Sequence, residues 1–241
     1  MKDTIVVGDL HGDISLYQQI KSKFATEKII LVGDLVDSFV FTHTEQFRLL
    51  EEVLGDIGNE EKRIQCVKGN HEWSYLRPER MKCSGYASSF AAQLMPFFSK
   101  MFSLMPNYIL DIERKVLITH AGLSKRLFLQ GMTKSILDDT PITIEEVKEF
   151  LEVETRKIDE GLVYDIGISR GGVSRVGGIF WCDWYVDFTP IEGLIQILGH
   201  TPVTEIKTKM SNYMIDCLQK KASVVRWKED NMIEVVDIDK I

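Results

Sequence analysis

Five short apolar runs, each ending in a turn and then in a polar side chain able to bind a metal, constrain this chain more than any other feature. Thr4-Ile5-Val6-Val7 leads into Gly8-Asp9-Leu10-His11-Gly12, and Lys28-Ile29-Ile30-Leu31-Val32 into Gly33-Asp34-Leu35-Val36-Asp37. Ile64-Gln65-Cys66-Val67 leads into Lys68-Gly69-Asn70-His71-Glu72, Val116-Leu117-Ile118-Thr119 into His120-Ala121-Gly122, and Leu194-Ile195-Gln196-Ile197-Leu198 into Gly199-His200-Thr201-Pro202. A short β-branched run closed by glycine reads as a buried strand stopping at a tight turn. Side chains alternate along a strand, so Asp9 and His11, two apart, leave their strand end on the same side. Alone, such a stretch is equally an Asx-type turn beside a hydrogen-bonded histidine. Yet four of the five histidines fall at these strand ends, and only His43 lies elsewhere. Ligands of open α/β sheets bind outside the carboxyl ends of the strands, so the five motifs belong at one rim.

Taken together, the rim residues have a chemical logic. Asp9, His11 and Asp34 offer oxygen, nitrogen and oxygen, while Asn70, His120 and His200 add a neutral oxygen and two imidazoles. A carboxylate can bridge two ions, so the six residues can hold two divalent metals that share Asp34. Mixed imidazole and carboxylate donors suit Mn, Fe, Zn or Co better than Ca or Mg. Two ions roughly 3.5–4 Å apart clamp a phosphoryl group and lower the pKa of water between them.

The segments between the runs follow strand–helix–strand grammar. Apolar residues at Ile14, Leu16, Tyr17, Ile20 and Phe24 predict a helix from Asp13 to Phe24, and Phe47, Leu50, Val53 and Leu54 predict another from Thr44 to Leu54. Two such units give a parallel sheet. The Phe- and Met-rich stretch from Ser88 to Phe102 reads as a buried helix whose methionines fill core. Thr143-Ile144-Glu145-Glu146 has the form of a capping box, with Val147, Phe150, Leu151 and Val153 as the apolar face of its helix. The glycine-rich tract Ile168 to Gly178, containing Arg170 and Arg175, reads as a flexible loop of the kind that carries substrate contacts. Ile206–Met210, Asn212–Asp216, Ala222–Trp227 and Met232–Val236 read as antiparallel strands.

At 241 residues and 44% hydrophobic content, the chain reads as a single domain, 1–241, with a helical cap or insertion at about 125–165. A net charge of -7 argues against a long nucleic-acid footprint, though not against a small phosphorylated substrate. Neither a signal-peptide pattern nor a membrane-length apolar run is present, so the expected location is the cytoplasm, with no membrane partner. Cys66, Cys83, Cys182 and Cys217 form no C-x-x-C pair and read as reduced thiols; Cys66 belongs to a strand core, and Cys83 is the one expected to be accessible.

The motifs Gly8-Asp9-Leu10-His11-Gly12, Gly33-Asp34-Leu35-Val36-Asp37, Gly69-Asn70-His71-Glu72, His120-Ala121-Gly122 and Gly199-His200-Thr201 resemble GDxHG, GDxxD, GNHE, HAG and GHT of the calcineurin-like metallophosphoesterases, in order and spacing. Within that superfamily the resemblance is to the phosphoprotein phosphatase branch, which includes bacterial and bacteriophage serine/threonine phosphatases and symmetrical diadenosine tetraphosphatases. It implies an α/β fold, a two-sheet β-sandwich flanked by helices, with a di-metal site at the C-terminal strand ends. It further implies that Asp9, His11 and Asp34 hold one ion, and Asp34, Asn70, His120 and His200 the other. His71 would be the general acid on the leaving oxygen, with Asp37 orienting it.

The chain also departs from the pattern. Most phosphoprotein phosphatases continue GDxVD with Arg-Gly, whose arginine grips phosphate, whereas this chain continues with Ser38-Phe39. Arg170 and Arg175, ahead of Phe180-Trp181-Cys182-Asp183, are the candidate replacements, each equally readable as a solvated loop charge. His43 reads as a helix-start residue, with lining the site where the arginine is missing as its second role; Glu72 reads as a helix cap, and Trp181 and Trp184 as wall or core. The resulting expectation is a phosphoesterase that uses two divalent ions, Mn first, with in-line attack of a metal-activated hydroxide and no phosphoenzyme. Its expected substrate is a phosphorylated protein of the serine/threonine type. The alternatives are a dinucleoside polyphosphate or other small nucleotide substrate and, from another class, a catalytically weak binding scaffold.

Overall fold

The computed structural model describes residues 3–132, 141–158 and 160–238. Ten strands form two sheets of five, and seven α-helices lie among the described residues. The first sheet has the order β10-β9-β1-β2-β3, built from Ile233–Asp237, Ser223–Trp227, Thr4–Val7, Lys28–Leu31 and Ile64–Cys66. In the second, β4-β5-β6-β8-β7, the strands are Tyr108–Asp111, Val116–Thr119, Ile195–Leu198, Asn212–Met214 and Lys207–Lys209.

Strand alternation sorts the apolar residues into layers. Val6, Ile30 and Val225 of the first sheet face Val116, Ile118 and Ile197 of the second, making a dry interior between the sheets. Their neighbours Ile5, Val7, Ile29 and Leu31 point the other way, onto α1 (Ile14–Lys23) and α2 (His43–Ile57). Leu117 points outward from the second sheet, toward α6 (Lys125–Gly131) and α7 (Ile144–Arg156). Each fully buried Val, Ile or Leu stabilises the fold by roughly 1.5–3 kcal/mol relative to exposure, so the layering is dictated mainly by this alternation. The architecture is the two-sheet sandwich flanked by helices expected from the sequence.

Local signals set the helix starts. The Asp13 side chain accepts the Leu16 N–H at 2.9 Å, and Thr42 with Glu45 and Thr143 with Glu146 form reciprocal capping boxes. On α7, Val147, Phe150 and Leu151 are buried as expected, whereas Val153 is exposed. Part of the expected cap or insertion at about 125–165 lies outside the described residues. No helix among the described residues is long and apolar enough to cross a membrane.

Besides Val153, three expectations are overturned. Ser88–Phe102 is not one helix: α4 (Ser88–Leu94) is followed by a 3-10 turn at Met95–Phe97 and then α5 (Phe98–Leu104), because Pro96 lacks the N–H a continuous helix needs. Met95 is consequently exposed, and Phe90, Leu94 and Met101 carry the burial. The tract from Ile168 to Gly178 is tied rather than loose. A 3-10 turn at Ile168–Arg170 ends in left-handed Gly171, and Ser174 bonds back to Ile166 and Ile168. The third correction concerns β8. It pairs antiparallel with β7, as expected, but parallel with β6, so its C-terminal end reaches the same rim as those of β5 and β6.

Candidate metal centre and substrate cavity

Six strands run parallel to a neighbour, β1, β2 and β3 in one sheet and β5, β6 and β8 in the other. Their C-terminal ends deliver Asp9 and His11, Asp34, Asn70 and His71, His120, His200 and Asp216 to one place. The turns that do this are strained. His11, Asp34, Asp37 and His200 sit at φ 42°, 52°, 63° and 73°, the left-handed region that costs a side chain about 1–2 kcal/mol. Two motif glycines let backbone approach carboxylates: a Cβ on Gly69 would lie 2.1 Å from Asp34 Oδ1, and one on Gly199 2.0 Å from Asp9 Oδ1.

On one side of Asp34, three donor atoms converge. Asn70 Oδ1 is 2.7 Å from His120 Nε2 and 3.1 Å from His200 Nδ1, and the two imidazole nitrogens are 3.2 Å apart. Asp34 Oδ2 is 3.3 Å from His120 Nε2. His120 donates its Nδ1–H to the Val32 carbonyl at 2.9 Å, which leaves Nε2 as the ring nitrogen facing the amide oxygen, itself only an acceptor. Facing lone pairs at such distances call for a cation among them. Burial, His120 and Arg170 all push His200 well below the usual imidazole range, which keeps it neutral, the form that ligates metal. This donor set fits a divalent ion.

On the other side, single ligand atoms of His11, Asp34 and His71 lie within 4.8 Å of one another, as do those of Asp34, His120 and His200. His11 is oriented by its Nδ1–H donating to the Val36 carbonyl at 2.8 Å. Asp9 stands beside these groups: its Oδ2 accepts the His200 backbone N–H at 2.9 Å, and its buried Oδ1 has no hydrogen-bond partner among the described residues. Burial raises the Asp34 carboxyl, but His120, His71 and His11 outweigh that and hold it well below the usual carboxylate range.

His71 donates its Nδ1–H to Asp37 Oδ2 at 2.8 Å, leaving Nε2 3.8 Å from Asp34. Burial lowers its pKa, but Asp34 and Asp37 prevail and lift it to about 9, so the ring is protonated at neutral pH. Two residues that carried no sequence signal complete this arm. Tyr75, one helical turn after His71 on α3 (Asn70–Leu76), donates its hydroxyl to Asp37 Oδ1 at 2.5 Å, and Gln46 accepts the Asp37 N–H at 2.8 Å. Glu72 is wholly buried and accepts the backbone N–H groups of Asp34, Leu35 and Gly69, locking the Asp34 turn to the helix start. That is the capping role expected for it.

The rim opens into a cavity of about 490 Å³ lined by His11, Asp34, Asp37, Asn70, His71, His200 and others. Arg170 lines it, held by Asp183 at 3.0 Å and Thr201 Oγ1 at 2.8 Å. Arg175 is exposed and lies outside the lining, because the backbone returns after Gly171 and Ser174 and carries it to the surface. Nor does His43 line the cavity; it begins α2 and stacks on Phe90 with ring centroids 4.4 Å apart. Trp181 and the exposed Phe39, Val40 and Lys82 are part of the wall. Arg170 Nε and Trp181 Nε1 are buried donors without partners among the described residues. Cys83, expected to be accessible, is instead buried in this wall against Asn70.

Asp216 was not among the sequence candidates. It is buried, and burial together with Asp34 pushes its carboxyl up to about 6 against the pull of His11. Its signal was present in the run Tyr213-Met214-Ile215 ending on a carboxylate, but no glycine closes that run.

The calcineurin-like phosphoesterase family model matches residues 3–221. The chain belongs to the calcineurin-like phosphoesterases. As a member of that family it is a metal-dependent phosphatase. Its fold is similar to a solved protein serine/threonine phosphatase from Saccharomyces cerevisiae with similarity to human phosphatase PP5, at TM-score 0.58 and 13% identity, covering 100% of this chain and 81% of that one. It is also similar to a solved putative diadenosine tetraphosphatase, at TM-score 0.52 and 14% identity, covering 100% and 95% of the two chains. A search of curated protein sequences gives no match. At these identities the structural likeness speaks to the fold alone.

Proposed function

We propose that this phosphoesterase hydrolyses phosphate monoesters, phosphoserine or phosphothreonine of proteins first, using two divalent ions, with Mn preferred. Asp9, His11 and Asp34 would hold one ion and Asp34, Asn70, His120 and His200 the other. The observation that carries the reading is the presence of two clusters of ligand atoms that share Asp34, one with His120 and His200 and the other with His11 and His71, the latter ring also bonded to Asp37. Bound ions would supply Lewis acidity toward the phosphoryl oxygens and lower the pKa of the attacking water. The protein's own groups do the rest. His71 offers its Nε2 proton to the leaving oxygen while Asp37, backed by Tyr75 and Gln46, fixes the ring. Arg170 Nε and Trp181 Nε1 offer two preorganised donors to phosphate oxygens, and Asp183 and Thr201 hold the guanidinium in place.

Phe39 and Val40, 82% and 76% exposed beside the cavity, favour a substrate with an apolar body next to its phosphate, such as a peptide segment. The same exposed ring supports a second reading, a dinucleoside polyphosphate whose base stacks on Phe39. A panel of phosphopeptides, dinucleoside tetraphosphates and a bis-aryl phosphate, assayed after Mn addition, tests both. Peptide turnover at least tenfold above the others supports the first reading, and preference for the dinucleotide replaces it with the second. No turnover of any of them, with ions bound, would leave only a binding scaffold.

A further inference from the structure

The carboxamide of Asn70 has two ends of similar size and opposite chemistry, and only the oxygen can serve a cation. Its oxygen faces His120 and His200, at 2.7 and 3.1 Å. Its nitrogen faces Cys83. Nδ2–H donates to Cys83 Sγ at 3.0 Å, and the thiol donates to the Asn70 backbone carbonyl at 3.3 Å. The thiol hydrogen is thus engaged on the carbonyl, and the sulfur is left as an acceptor for the amide nitrogen. Cys83 is itself held by its backbone N–H donating to Ser74 Oγ at 3.1 Å.

We infer that Cys83 is a positioning residue for the ion at Asn70, His120 and His200: its sulfur decides which end of the Asn70 carboxamide faces the imidazoles. This rests on the two-ion reading above. Without an acceptor at position 83, the amide nitrogen is buried and unpaired, and the His120 Nε2 lone pair 2.7 Å from the other end becomes its nearest alternative acceptor. The amide then turns over and presents N–H to the ion's position. Serine preserves the arrangement, since a hydroxyl both accepts and donates, whereas alanine does neither.

The test is Mn titration of the metal-free protein by calorimetry, with electron paramagnetic resonance to count bound ions. Wild type should take up two. Cys83→Ala should weaken one site by about 10–100-fold, the range for losing a group that orients a metal ligand, and leave the other unchanged. Cys83→Ser should keep both sites within about threefold of wild type, because its hydroxyl restores both hydrogen bonds. An alanine variant with wild-type affinity at both sites overturns the inference, as does a folded serine variant as weak as alanine. Should Cys83→Ala fail to fold, Cys83→Val, which likewise neither accepts nor donates, takes its place with the same expected loss and the same overturning result. In an Asn70→Asp background either end of the side chain is an oxygen, so adding Cys83→Ala should cost nothing further, and an undiminished loss overturns the role. Wild type that binds fewer than two ions overturns the two-ion reading and this inference with it. Two ions bound normally with an indifferent alanine variant overturns only the part assigned to Cys83.

Discussion

The floor of the cavity and its rim are built on different principles. On the floor, Asp9, Asp34, Asn70, His71, His120 and His200 are buried, each follows a strand end, and their ring nitrogens or carboxylates are tied to backbone or to buried side chains. At the rim, Phe39, Val40 and Lys82 project from turns into solvent, while Arg170 is clamped by Asp183 and Thr201. The floor is specified by the same apolar alternation that specifies the sheets, so its residues cannot move without moving a strand. The rim is specified by loop chemistry, which leaves the choice of substrate free to vary while the reaction is kept. That division accounts for the departure at Ser38-Phe39, where the family pattern breaks on the loop side of an intact Asp37.

The largest effect should come from the carboxylate shared by both clusters. Asp34→Asn should lower kcat/KM for every substrate by about 10⁴-fold or more, since on the two-ion reading the one charge it removes serves both ions and is worth more than a single acid–base group. Metal content measured on the same sample should fall. Full activity with both ions bound would show that the floor does not center on Asp34.

His71 should behave differently from the ligands around it, although it sits among them. His71→Asn should retain metal. Its deficit should be roughly 10²–10⁴-fold for alkyl or phosphoserine esters, whose leaving oxygen needs a proton, and small for p-nitrophenyl phosphate. A plot of kcat/KM against leaving-group pKa separates the two roles: a uniform drop accompanied by metal loss would make His71 a ligand. Asp37→Asn should show the same pattern in milder form.

The pH profile follows from the same pair. In the metal-free protein Asp34 and Asp37 lift the His71 pKa from the ordinary 6.5 to about 9; ions held by Asp34 would take up the first of these charges, so in the loaded enzyme the proton is lost on a limb between 6.5 and about 9. Turnover of alkyl esters should therefore fall about tenfold per pH unit on that limb, and the limb should vanish in His71→Asn. The sign for stability is the same. What this ion pair contributes to the metal-free protein is fully present below pH 6.5 and lost as pH rises through about 9. Urea midpoints across that range would check it, and a midpoint rising over the interval would contradict the assignment.

Legibility divides along the same line as the floor and rim. Strands β1, β2 and β5 are readable because a strand buried on both faces is a near-continuous apolar run, β3 and β6 depart from it only at Gln65 and Gln196, and the residues after them are readable because a glycine marks each turn. Asp216 is not, since β8 looks like half of a hairpin until its parallel pairing with β6 is known, and no local pattern records which strand it will join. Tyr108–Asp111 is half-buried at every position and leaves no alternation to detect. Cys83 misleads for a related reason. Its polar neighbours Lys82 and Ser84 predict exposure, but the chain turns back after α3 so that Asn70 and Ser74 cover it.

The two loop arginines give a smaller test, because Arg170 lines the cavity and Arg175 does not. Arg170→Ala should raise KM for phosphate monoesters by about tenfold, the loss of one charge-assisted contact, while Arg175→Ala should change it less than about twofold. Equal effects of the two would place Arg175 in the cavity after all.

The smallest effect should come from the exposed pair at the mouth, and it separates substrate recognition from catalysis most cleanly. Phe39 and Val40 leave most of their surface in water, so a peptide lying across them gains only the part of that surface it covers. Covering about 60 Å² of apolar surface is worth about 1.5 kcal/mol before the cost of ordering the peptide, which reduces the net gain to about half of that. Phe39→Ser with Val40→Ser should therefore raise KM about three- to fivefold for a phosphopeptide with apolar residues beside the phosphate. The value of kcat should stay fixed, because His71 and the donor clusters keep their own supports. p-Nitrophenyl phosphate, too small to reach the mouth from the floor, should be unaffected in both constants. A change in kcat, or an equal KM change for the small ester, would mean that the turn after Asp37 shapes the floor and that floor and rim are not separable.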